Sequence, residues 1–141
     1  MSRQDDAPED DHAHRIELAC AVLMLEISLA DSTLDDSEKS SIENALGQRF
    51  KLPAEEIETL LDLAHREVDH AVSLHDFTRL LNERMSEREK EQVVEYLWQV
   101  AFADGVLDKY EEYYIRKIAD LLYVPHVRLM KSRHRASRSA G

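Results

Sequence analysis

Little in this chain can staple, span or cradle. One cysteine, Cys20, stands among 141 residues, which excludes a disulfide framework and a thiolate zinc site alike. It lies inside the apolar run from Leu18 to Leu25, where a thiol behaves as a small core hydrophobe. Three glycines and three prolines allow few turns and no glycine-rich phosphate loop, and neither a nucleophile elbow nor a Cys-His pairing is present. No catalytic role is expected. The longest apolar segment, Ile16 to Ala30, is broken by Glu26 and falls short of the roughly 20 residues that cross a bilayer. Acidic residues precede it where a signal peptide carries basic ones, so the expectation is a cytoplasmic protein without an integral membrane segment. Basic charge is also scarce, with 18 Lys and Arg against 29 Asp and Glu and a net charge of -11. Such a surface repels phosphate backbones, and nucleic acid is not an expected partner.

What remains is helical. The residues are 43% apolar, helix formers such as Leu, Ala, Glu and Arg abound, and the length suits one domain with one core. Periodicity and caps place helices at about 13 to 30, 36 to 49, 54 to 70, 74 to 84, 87 to 103, 109 to 122 and 126 to 134. The expected fold is all-α, a single compact domain of about seven helices spanning residues 13–131. The first and fifth helices carry apolar residues around most of their circumference, as buried central elements do. The sixth has a stripe of Ile115, Ile118, Ala119, Leu122 and Tyr123 at spacings of three and four. Residues 1–12 read as an acidic disordered tail and residues 132–141 as a basic one, each with too little apolar surface to offset ordering entropy.

Two segments repeat one another. Ala30-Asp31 with Leu34, Asp35 and Glu38 matches Ala103-Asp104 with Leu107, Asp108 and Glu111 at one constant offset, and Ile42 matches Ile115 at the same offset. Further on, Phe50-Lys51-Leu52-Pro53 answers Tyr123-Val124-Pro125 after the loss of one residue. We read an internal duplication with approximate two-fold symmetry, of copies at about 16–70 and 87–131 joined by a connector at 71–86.

The acidic turns admit three readings. In the first they are structural: Asp35 and Asp108 stand at helix starts with Glu38 and Glu111 three residues on, the pattern of a capping box. Ser86 and Glu89 have the same spacing, and Gly105 supplies the positive φ that ends a helix. Capping leaves Asp31 and Asp104 unexplained, and crowded carboxylates repel unless a cation offsets them. In the second reading the turns therefore hold a divalent cation such as calcium or magnesium, through Asp31, Asp35 and Glu38 in one copy and Asp104, Asp108, Glu111 and Glu112 in the other. The spacing is not that of an EF-hand, since Val106, Lys109 and Ile115 occupy ligand or glycine positions of that loop. In the third, the turns dock a protein partner, with Tyr110, Tyr113 and Tyr114 as aromatic contacts beside the carboxylates.

The seven histidines add no zinc motif. Glu67-Val68-Asp69-His70 matches the Glu-x-x-His unit of di-iron bundles, but such a site needs two copies and only one is present.

Taken together, Ala30-Asp31 with Leu34, Asp35 and Glu38, the block Asp76-Phe77-Thr78-Arg79-Leu80-Leu81-Asn82-Glu83, Ala103-Asp104-Gly105 through Tyr110-Glu111-Glu112 to Ile115, and Ala119-Asp120-Leu121-Leu122-Tyr123-Val124-Pro125-His126 resemble the TerB-like tellurite-resistance family, in its short stand-alone bacterial branch. The resemblance covers about residues 14 to 131. It implies an all-helical fold, a role in metal or stress response, and acidic turn residues suspected of binding cations. Ser32 stands where the second copy has Gly105, and Lys39 where it has Glu112, so the second turn is the better match. Tellurite is itself an oxyanion, and a carboxylate-rich site in a chain of charge -11 should repel it. The expected function is a non-enzymatic cation-binding or adaptor module, with a protein-protein interaction module on purely structural caps as the alternative.

Overall fold

From Ala19 to Ile27 almost every side chain of the first helix is out of water, Glu26 being the half-buried exception. The computed structural model describes residues 9–29, 36–69, 74–103, 105 and 107–140. Seven helices form among these residues: α1 (Glu9–Ser28), α2 (Asp36–Phe50), α3 (Ala54–Asp69), α4 (Leu74–Arg84), α5 (Glu87–Phe102), α6 (Lys109–Leu121) and α7 (His126–Ala140). α1 packs against α2, α3, α4, α5 and α6, and α5 packs against α1, α2, α6 and α7. An apolar circumference can be satisfied only at the centre of the bundle, which is why these two helices occupy it.

The core is continuous through both halves of the chain, with Leu23, Met24 and Ile27 on α1, Ile42 and Leu46 on α2, Leu97 and Trp98 on α5, and Ile115 and Ile118 on α6 all fully buried. The connector helix α4 packs against α6 and is further tied to the second half through the Asn82 side chain. Asn82 donates from Nδ2 to the Leu121 carbonyl at 2.9 Å, and its Oδ1 accepts from Lys90 Nζ at 3.1 Å. It thereby satisfies one of the carbonyls that the end of α6 leaves unpaired.

Three boundaries differ from the sequence expectation. α1 begins at Glu9, so part of the expected acidic tail is helical. α7 runs on to Ala140 rather than ending near 134, because residues assigned to a basic tail have partners on α5. Arg135 contacts Glu91 at 2.8 Å and Glu95 at 2.5 Å, Arg128 contacts Glu91 at 3.4 Å, and Ser132 and Ala136 are buried. The third difference is at Tyr123, placed by periodicity on the buried stripe of α6 but 78% exposed. α6 closes in a Schellman turn, with Val124 N–H donating to Ala119 O at 2.9 Å and Tyr123 N–H to Asp120 O at 3.1 Å. Tyr123 takes the left-handed position at φ 59, which carries its ring out of the helical register. Lys51, after α2, has φ 54; both residues precede an X-Pro pair, and both prolines lead directly into the next helix.

Candidate functional site

The second acidic turn is built around the start of α6. Gly105, at φ 85, donates its N–H to Phe102 O at 2.9 Å and ends α5. Asp108 is the N-cap: it lies in extended backbone and its Oδ1 accepts from Tyr110 N–H at 2.6 Å. Glu111 completes the capping box, its Oε1 accepting from Asp108 N–H at 3.3 Å. The side chain is only 1% exposed, so this carboxylate faces inward along the first turn of α6. Ser86 and Glu89 form the same reciprocal box at the start of α5, at 3.1 and 2.9 Å. The backbone N–H of Ser86 holds the Glu89 carboxyl below its ordinary pKa, with Arg49 adding to the effect at 2.7 Å.

Glu112 follows a different path. Its carboxylate lies 3.6 Å from Arg116 on the next turn and 3.5 Å from Arg133 on α7, so two guanidiniums offset its charge. The same Arg133 lies over the Trp98 ring, 5.3 Å from its centroid. Trp98 is fully buried and stacks with Phe102 at 6.1 Å, and its indole N–H finds no acceptor among the described residues. It therefore belongs to the core beneath the turn.

The aromatic residues divide by face. Tyr110 and Tyr113 are 57% and 61% exposed, Tyr110 standing with the Lys109 ammonium 5.7 Å from its ring. Tyr114 is half-buried and packs against the core, its ring edge-on to Tyr113 at 5.8 Å. Tyr114 thus supports the Tyr113 ring.

Of the candidate cation ligands, Asp108, Glu111 and Glu112 sit on one helical turn, and Glu38 is buried in the first turn of α2. Asp31, Asp35 and Asp104 lie outside the described residues, as does His70 of the Glu-x-x-His unit. Among the described residues, no group of three or more His, Cys, Asp or Glu is placed to hold a metal ion. Sequence reasoning missed the contribution of α7. Its arginines were visible as a basic run, but helical spacing alone does not reveal that they lie over Glu91, Glu95 and Glu112.

The family model for tellurite resistance protein TerB matches residues 17–134. The chain belongs to the TerB family. No curated protein matches it. The TerB fold is similar to that of a crystal structure of a protein of unknown function from Porphyromonas gingivalis W83, with a TM-score of 0.66 at 19% identity over 89% of this chain and 95% of that one. At that identity the likeness is one of fold. Among the described residues of this TerB domain, no helix is long and apolar enough to cross a membrane.

Proposed function

We propose that this TerB domain is a non-enzymatic adaptor of a tellurite- or metal-stress response, cytoplasmic in location, which recruits protein partners through the start of α6. The exposure of Tyr110 and Tyr113 beside carboxylates that are already engaged carries this reading. Two large rings on a capped helix, that of Tyr113 backed by Tyr114, present apolar area at little conformational cost, as aromatic anchors at interfaces do. The acids of this turn then serve chiefly as caps and ion-pair partners.

The reading is tested by expressing variants in cells that lack the chain and scoring tolerance to tellurite. Tyr110→Ala combined with Tyr113→Ala is expected to abolish protection while leaving the helical circular dichroism and unfolding midpoint within about 0.5 kcal/mol of the parent, as for other surface changes. Full protection by the double variant would refute it.

A divalent-cation version of the same module is supported by the placement of Asp108, Glu111 and Glu112 at one helix start, since crowded carboxylates favour positive charge nearby. Titration with calcium, magnesium, manganese and zinc, followed by backbone amide shifts, separates the versions. A response confined to residues 31–38 and 104–112, and removed by Asp104→Asn, favours a cation; silence of those residues at millimolar ion rejects it.

A further inference from the structure

An open groove of about 430 Å³ runs between α1 and α3, far along the chain from the tyrosines of α6. Its floor is apolar, formed by Leu52, Leu60 and Leu63, and Leu63 is 43% exposed although α3 already buries Ile57, Leu60, Leu61 and Ala64 in the core. The exposed Glu55 and Glu56 border it and the buried Glu17 lies against it, and no lysine, arginine or histidine is among its described lining residues. The groove therefore combines an apolar seat with one sign of charge. Leu60 and Leu63 lie three residues apart on one helix, the spacing at which side chains stand one above the other. That is the arrangement into which an amphipathic helix lays its own row of apolar residues.

We infer that the α1–α3 groove is a docking site for a basic amphipathic helix of a partner protein. Charge selects this occupant. The charged side chains of the described lining are all carboxylates, so lysine or arginine flanking the inserted apolar row would meet the exposed Glu55 and Glu56, whereas an acidic helix would be repelled. A second copy of the chain is a poor occupant, because each copy brings a net charge of -11. Its basic helix α7 also commits Leu129 and Ala136 to the core, leaving Val127 as its exposed large apolar side chain among the described residues. The inference stands apart from the proposed role of Tyr110 and Tyr113, since the two surfaces share no residue and each can fail alone.

The test uses the full chain and three synthetic peptides, followed by amide shifts. One is a helix with leucine at every third or fourth position and lysine elsewhere, the second carries glutamate in place of lysine, and the third is a scrambled form of the first. The lysine-leucine helix is expected to give saturable shifts centred on residues 52–63, with affinity falling as salt rises. Leu63→Gln should weaken it by about tenfold. Glu55→Lys with Glu56→Lys should transfer preference toward the glutamate-leucine helix. Absence of saturable shifts, shifts centred elsewhere, equal binding of the scrambled peptide, or indifference to both variants would overturn the proposal. Concentration-dependent dimerisation through the same residues would overturn it as well, by assigning the groove to a second copy.

Discussion

The guanidinium of Arg133 joins two things that are distant in sequence, lying 3.5 Å from the Glu112 carboxylate and 5.3 Å from the centroid of the Trp98 ring. One cation on α7 thus offsets the charge of an acidic turn on α6 and covers the largest side chain of the core on α5. A residue that sequence alone would leave in a solvated tail is a fastening between three helices. The start of α6 accordingly has less free negative charge than its composition suggests.

Arg133→Ala should reduce stability by about 1 to 2 kcal/mol, combining a cation-π contact over a buried indole with a half-exposed ion pair of smaller worth. Trp98 is the only tryptophan, so its fluorescence during urea unfolding reports the loss directly. Arg138→Ala, on an exposed part of the same helix, is the control and should leave the midpoint unchanged.

Asp108→Ala removes the acceptor of the Tyr110 N–H and should cost about 1 kcal/mol, as N-cap truncations do. Ser86→Ala should cost a similar amount at the start of α5, where the equivalent box is complete. Both losses should appear as lower urea midpoints with an unchanged slope, because neither alters the surface exposed on unfolding.

Cys20 is fully buried and its thiol is pushed up to about 12, chiefly by desolvation, with Arg49 lowering it and Glu17 raising it. The thiolate is the reactive form. A thiol reagent at pH 8 should therefore fail to label the folded protein and should label it promptly in denaturant. Rapid labelling of the native state would show that α1 opens locally.

Burial raises the pKa of Glu26 above the ordinary carboxylate value. A folded-state pKa above the unfolded one means that the fold binds this proton more tightly, so the contribution is fully present at low pH and lost as pH rises through the folded pKa. At pH 7 the ionised side chain opposes folding. Glu26→Gln should raise the thermal midpoint at pH 7, and the difference should shrink as the pH is lowered through the carboxylate range. A midpoint unchanged at pH 7 would place Glu26 in contact with water.

The helical pattern was legible because it rests on local chemistry. Apolar residues at three- and four-residue intervals, Ser86 with Glu89, Asp108 with Glu111 and the prolines at 53 and 125 each act within a turn or two of themselves. The two helices apolar on most sides could be assigned to the centre of the bundle for the same reason. Tyr123 escaped the pattern, since periodicity continues to assign faces past a Schellman turn although the left-handed residue has already rotated the chain.

By itself, then, the sequence determined an all-helical domain, its central helices, the caps at Ser86 and Asp108 and its family, because each follows from hydrogen bonds and burial that neighbouring residues satisfy among themselves. Tertiary structure alone decided which charges are spent. Glu91 and Glu95 on α5 and Glu112 on α6 meet Arg128, Arg133 and Arg135 only because the fold lays α7 against them, and no local rule pairs residues about 20 to 45 positions apart. The same packing leaves Tyr110 and Tyr113 in water and opens the apolar seat beside Leu63. Exposure belongs to the arrangement of helices, whereas helicity belongs to each segment.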